Sequence, residues 1–174
     1  MTIDPSQLRR LLIRVCLVTL AMRAVSMFSV DVTAVEAGTL LGLTPSEESG
    51  PLIGAMMAAW GHLSAGIRGV ARAPMVACDV ALVLLAVAFT RVSGWGSLAG
   101  LLTGMLLAMT PFGLDEGWRA DGTALLSVMT LLPLVLLRRG LRDGRVPWLA
   151  ASALVFAAGV LLSPMLLLAL PVAL

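Results

Sequence analysis

Long apolar runs, interrupted by short polar stretches, extend along almost the whole chain. Because a bilayer core of about 30 Å takes roughly 20 apolar residues of helix, runs of this length predict membrane-spanning helices. We therefore predict an all-α fold, a polytopic transmembrane helical bundle of about five to six spans. The whole chain, residues 1–174, forms one membrane domain with spans at approximately 11–30, 74–90, 97–114, 123–137 and 147–163, and a partial span at 165–174.

Turn and proline signals refine this pattern. The stretch PLIGAMMAAWGHL, residues 51–63, is too short to span comfortably and predicts a short interfacial or re-entrant helix in the first outer loop. Pro133 predicts a kink in the fourth span, and RRGLRDGR, residues 138–145, predicts a loop. The pair Ser163–Pro164 predicts the break between the last two spans.

Composition also indicates a membrane protein. Hydrophobic residues make up 59% of the chain and charged residues 13%, and the mean hydropathy is +1.00. Soluble domains are roughly half apolar and a quarter charged. Cys16 and Cys78 fall in apolar runs, and His62 is the only histidine, so the sequence indicates no disulfide framework and no His-rich metal site.

Every basic side chain is an arginine, and the 12 arginines are distributed unevenly. With the N-terminus in the cytoplasm, eight lie at the cytoplasmic face and three at the opposite face, as the positive-inside rule expects. This predicts a multi-pass protein of the inner (plasma) membrane with a cytoplasmic N-terminus, and it explains the basic pI without nucleic acid as a partner. The eight are Arg9, Arg10, Arg14, Arg91, Arg138, Arg139, Arg142 and Arg145, and the three are Arg68, Arg72 and Arg119.

Most acidic residues gather on the non-cytoplasmic side, in the first outer loop and in PFGLDEGWRADG, residues 111–122. Asp31 directly follows the first span. It is either a solvated loop acid or a group that acts as general base toward an acceptor hydroxyl or holds a divalent metal ion beside a phosphate. Asp121 either caps the helix that opens at Thr123 or orients a sugar or the base. Apart from that metal ion, no cofactor follows from the sequence.

Three arginines on the same side are candidate phosphate ligands. Arg68 and Arg72 stand four residues apart, so on a helix they share a face and could clamp a phosphate; alternatively they extend to lipid headgroups. Arg119 holds a phosphate or pairs across the start of the next helix. Asp79 and Arg23 lie inside predicted spans, where ionisable groups usually face the bundle interior and pair.

The segments AMRAVSMFSVDVTAVEAG, GPLIGAMMAAW and ARAPMVACDVALVLLAV, and then the Arg-x-Asp of GWRADG, follow one another along the chain. In this order they resemble the N-terminal half of the C-type superfamily of polytopic membrane glycosyltransferases, nearest the protein O-mannosyltransferase and aminoarabinose-transferase group. The resemblance implies transfer of a sugar from a polyprenyl-phosphate carrier to an acceptor at the non-cytoplasmic face. It implies that Asp31 is the catalytic base and that Arg72, Arg119 and Asp121 bind the donor or organise the site.

The chain also departs from that family. Val32 stands where the family commonly has a second acid, Tyr is absent, and family members continue through several more helices.

Two hypotheses about function follow. In one, the chain is a compact or split inverting glycosyltransferase that works in the lipid bilayer on a polyprenyl-phosphate sugar. In the other, it is a non-catalytic structural or accessory subunit of a larger membrane complex. Other membrane subunits or further copies of the chain are expected partners in both.

Overall fold

The computed structural model describes residues 5–29, 41, 50–64, 67–109 and 123–169. All regular secondary structure in these residues is helical, which confirms the all-α fold class. The helices are α1 (Pro5–Ser29), α2 (Gly50–Leu63), α3 (Arg68–Val92), α4 (Gly96–Met109), α5 (Thr123–Asp143) and α6 (Val146–Leu162), followed by a short 3-10 helix at Pro164–Ala169.

Two of the described helices are long and apolar enough to cross a membrane, α3 over Val70–Val92 and α5 over Thr123–Asp143. The other apolar helices are shorter, α4 and α6 among them. Helix α4 has 14 residues and α6 has 17, which correspond to about 21 and 26 Å at a rise of 1.5 Å per residue. The number of spans and the placement of α2 at a membrane interface remain predictions.

Helices α3 and α4 form an antiparallel hairpin that is closely packed along a glycine seam. A Cβ at Gly100 would lie 2.8 Å from the Thr90 hydroxyl, and a Cβ at Gly104 would lie 2.6 Å from a methyl group of Val87. Small residues of this kind let apolar helices approach each other closely. Helices α5 and α6 form a second hairpin, α3 packs against α5 to join the two, and α1 packs on α3 and α4.

The bundle has two ends, and both hairpins contribute residues to each of them. At one end, which we name the α2 end, an apolar cluster brings together Ile53 and Met57 of α2, Met75 of α3, Ala124 of α5 and Leu162 of α6. Because Met75 and Ala124 both lie near the starts of their helices, α3 and α5 run parallel. At the opposite end, which we name the arginine end, the end of α3, the start of α4 and the end of α5 surround one cleft.

Helix α3 begins at Arg68, six residues before the predicted start of the second span at Pro74. Pro74 therefore lies inside the helix, where its missing N–H leaves the carbonyl of Val70 without a helical donor. The indole Nε1 of Trp60 donates a hydrogen bond to that carbonyl at 2.9 Å. A side chain from α2 thus replaces the missing backbone donor, and this contact helps α3 to continue through the proline.

Replacing Trp60 by phenylalanine is expected to lower the free energy of unfolding by about 1 kcal/mol, because the Val70 carbonyl loses its donor while most of the ring is kept. In a Pro74→Ala background the restored backbone N–H can bond that carbonyl. The effect of Trp60→Phe should then fall to a few tenths of a kcal/mol. Denaturant titration in detergent micelles, followed by circular dichroism, measures both values. Equal losses in the two backgrounds would show that the indole does not substitute for the proline.

Helix α5 continues to Asp143, so the prediction of a loop at residues 138–145 was wrong for all but its last two residues. Two contacts accompany the extension. Arg139 Nε lies 3.7 Å from Asp143 Oδ2 one helical turn on, and the Arg139 guanidinium lies 4.4 Å from the ring centre of Trp148 on α6. Gly144, with φ of 63°, then follows the helix in the left-handed conformation that commonly terminates helices.

Helix α6 ends at Leu162, and Ser163 is extended before Pro164 begins the 3-10 helix. The helix therefore breaks at Ser163–Pro164 as predicted, whereas a further span after this break stays a prediction. Pro133 lies inside α5, and its carbonyl accepts a hydrogen bond from the buried Ser152 hydroxyl of α6 at 2.8 Å. This bond fixes the level at which the two helices of the second hairpin pack.

Candidate functional site

Of the five predicted site residues, Arg72 is the one whose side chain lies among the described residues. It lies in the second turn of α3 at the α2 end, and it is completely buried, with 0% of its surface exposed. A buried guanidinium needs partners that replace water, and Arg72 is engaged by at least one other group. The residue is a buried cation held inside the bundle.

Asp79 lies on the same inward face of α3. It follows Arg72 by seven residues, which places it about 10.5 Å further along the helix axis at nearly the same angle. Its exposure is only 4%, and it too is engaged by another group. The buried Met75 and Val76 lie between the two charged residues on this face. As expected, Asp79 faces the interior, and α3 thus places one basic and one acidic side chain inside the bundle.

Arg68 is the first residue of α3. Since the helix includes both positions, Arg68 and Arg72 are one turn apart, and the condition for a shared face is met. The side chain of Arg68 is outside the described part of the chain, as is that of Arg23. A phosphate clamp formed by Arg68 and Arg72 therefore stays a prediction.

Asp31, Arg119 and Asp121 lie outside the described residues. Helix α5 begins at Thr123, two residues after Asp121. That helix start belongs to the α2 end, because Ala124 joins the same apolar cluster as the start of α3. The start of α5 therefore lies at the end where Arg72 is buried, and a site shared by Arg72 and Asp121 remains a prediction.

The described residues contain no group of three or more His, Cys, Asp or Glu side chains that could hold a metal ion. Asp31, which was predicted as a general base or metal ligand, lies outside the described residues. A divalent metal ion at Asp31 stays a prediction.

The structure also contains a polar feature that sequence reasoning missed. Arg91, Arg139 and Arg142 line one cleft at the arginine end. Sequence reasoning placed each of them at the cytoplasmic face but did not bring them together. They converge because α3 and α5 run parallel and end at the same level, and the repeated arginines at the ends of both helices were the signal that could have shown it.

No family model matches the chain, and no curated protein and no solved structure matches it either. The resemblance to membrane glycosyltransferases consequently rests on the order of its sequence motifs alone.

Proposed function

We propose that the chain is a multi-pass membrane protein with a cytoplasmic N-terminus, and that a polar site at its α2 end acts on a polyprenyl-phosphate-linked sugar at the non-cytoplasmic face. The observation that carries this proposal is the inward face of α3, where Arg72 and Asp79 are both buried. Ionisable groups are costly inside a membrane protein, and those that occur there are commonly functional.

The surface of the described helices supports placement in a bilayer. In the most apolar windows of α3 and α5, only 39% and 22% of the residues are buried. A core helix of a soluble protein would bury most of such a window, whereas lipid solvates apolar side chains that the protein leaves uncovered. Large exposed apolar residues occur on several of the helices, including Leu17, Leu84, Leu102, Leu106, Leu154 and Leu161.

The proposed reaction is an inverting transfer. Asp31 removes the proton from an acceptor hydroxyl, whose oxygen attacks the anomeric carbon while the bond to the carrier phosphate breaks. Arg68 and Arg119 neutralise the charge that develops on the leaving phosphate, and Asp121 orients the sugar or the base. Arg72 is a positioning residue in this scheme, because it is completely buried and already engaged.

The second candidate is a non-catalytic accessory subunit of a larger membrane complex. The complete burial of Arg72 supports it as well, because a guanidinium without exposed surface cannot contact a carrier phosphate directly. Exposed apolar faces of the helices would then pack against other subunits or against further copies of the chain.

A transfer assay separates these candidates. The protein, purified with whatever copurifies from its native membrane, is supplied with a radiolabelled polyprenyl-phosphate sugar and membrane acceptors. If the enzyme proposal holds, the wild type transfers label, and Asp31→Asn lowers the rate by about 10²-fold or more, the usual contribution of a general base.

Glu36→Gln is the matched control, because it removes a carboxylate from the same predicted loop, and it should leave the rate within about twofold. Wild-type protein without turnover, alone and with its copurifying proteins, would eliminate the enzyme proposal. A stoichiometric partner that copurifies with an inactive chain would then support the accessory subunit.

A further inference from the structure

A basic cleft of about 580 Å³ opens at the arginine end, on the opposite side of the bundle from the proposed sugar site. Its walls are the end of α3, the start of α4 and the last turns of α5. Three arginines and one aspartate line it: Arg91, Arg139, Arg142 and Asp143. A cavity with this excess of guanidinium groups attracts an anion.

The arginines of the cleft are not equivalent. Arg139 is held by Asp143 at 3.7 Å and by the ring of Trp148. Within the part of the chain that the structure describes, no acidic side chain forms an ion pair with Arg91 or Arg142. Two guanidinium groups from two different helices are therefore available to the same ligand, and Arg139 supplies a preorganised third.

The start of α4 adds backbone donors to the same cleft. Gly96 and Ser97, the first two residues of this 14-residue helix, lie in its wall. The first N–H groups of a helix have no partner within the helix, and the helix dipole makes this end positive. Guanidinium groups and helix N–H groups together are donors suited to phosphate oxygens.

Tryptophan positions indicate the level at which the cleft lies. Trp95, in the turn that connects α3 to α4, is 72% exposed, and Trp148 lies in the first turn of α6 at the same end of the bundle. Tryptophan is enriched where a membrane protein crosses from hydrocarbon to headgroups. Basic pockets between helices at this level bind anionic lipid headgroups.

We propose that this cleft binds the phosphate of an anionic phospholipid headgroup. This binding rests on the proposed insertion of the chain in a membrane, but it is independent of glycosyl transfer. A headgroup with a net negative charge is attracted by the three arginines, whereas the quaternary ammonium of a zwitterionic headgroup would be repelled by them. The cleft should therefore select phosphatidylglycerol over phosphatidylcholine.

Native mass spectrometry of the full chain in detergent, titrated with each lipid, tests the proposal. The wild type should retain one phosphatidylglycerol at concentrations where it retains no phosphatidylcholine. Arg91→Gln and Arg142→Gln should each weaken retention roughly fivefold, the typical effect of one basic residue near an anionic membrane surface. Asp143→Asn removes the only acid among the described residues that line the cleft and should instead strengthen retention.

Arg138→Gln and Arg145→Gln are matched controls, because both residues are exposed at the same end but do not line the cleft. They should change retention of phosphatidylglycerol less than about twofold.

Equal losses of retention from all four arginine variants, with unchanged circular dichroism, would overturn the proposal and indicate an effect of general surface charge. If inorganic phosphate alone bound with the same dependence on these arginines, the ligand would be free phosphate and the proposal of a lipid headgroup would be overturned. Insertion of the wild type into vesicles, measured separately, distinguishes failure of this proposal from failure of the membrane assignment.

Discussion

Replacing Arg72 by leucine should lower the free energy of unfolding by about 3 kcal/mol, the upper part of the range for losing a hydrogen bond to a charged group or leaving a buried polar partner unsatisfied. Arg72 has no exposed surface and is engaged by at least one other group. Leucine fills part of the volume but leaves the partner of the guanidinium without its contact. Unfolding by denaturant in detergent micelles, followed by circular dichroism, measures the loss.

Two further variants sharpen this result. Arg72→Lys keeps the charge but has fewer donors in a different geometry, so its loss should be intermediate. Arg138→Leu, at an exposed position on α5, should change the free energy of unfolding by no more than about 0.5 kcal/mol. If Arg72→Leu were as stable as the wild type, the contacts of the buried Arg72 guanidinium would not contribute to the stability of the fold.

Gly140→Val should lower the free energy of unfolding by about 3 kcal/mol, at the upper part of the range for overpacking. A Cβ at Gly140 would lie 2.6 Å from Leu149 Cδ2 and 3.1 Å from the backbone nitrogen of Leu149. The leucine side chain can move, but the backbone of α6 cannot move without opening the seam with α5. The same titration in micelles measures the loss.

Leu141→Val provides the control, because it introduces the same β-branched residue at an exposed neighbouring position. Its effect should stay within about 0.5 kcal/mol. Leu149→Ala in the Gly140→Val background should restore only part of the stability, since it removes the side chain but not the backbone nitrogen. Full restoration would show that the backbones do not approach as closely as the structure indicates.

The sequence predicted the helical class correctly because long apolar runs have few alternatives to a helix. It misplaced the start of α3, since Pro74 is a common first residue of a helix and nothing local reveals that Trp60 supplies its missing donor. It misread residues 138–143 as a loop because Gly140 and four charged residues suggest a turn. The glycine is there for contact with Leu149, which only the tertiary structure shows.

The burial of Arg72 could not be predicted for a different reason. In a membrane protein the lipid-facing and inward faces of a helix are both apolar, so hydrophobic periodicity does not reveal which face is inside. Arg72 and Asp79 recur with the spacing of one helix face, which is a signal for a shared inward surface. Their partners depend on how the helices pack, and sequence spacing alone contains no such information.

Accessibility of single cysteines in intact cells tests the orientation of the bundle most directly. With Cys16 and Cys78 replaced by alanine, a cysteine is introduced by His62→Cys at the α2 end or by Arg145→Cys at the arginine end, both exposed positions. A membrane-impermeant maleimide should label the first variant from outside and the second only after the membrane is opened. Labelling of both variants from the same side would contradict a bundle whose two ends face different compartments.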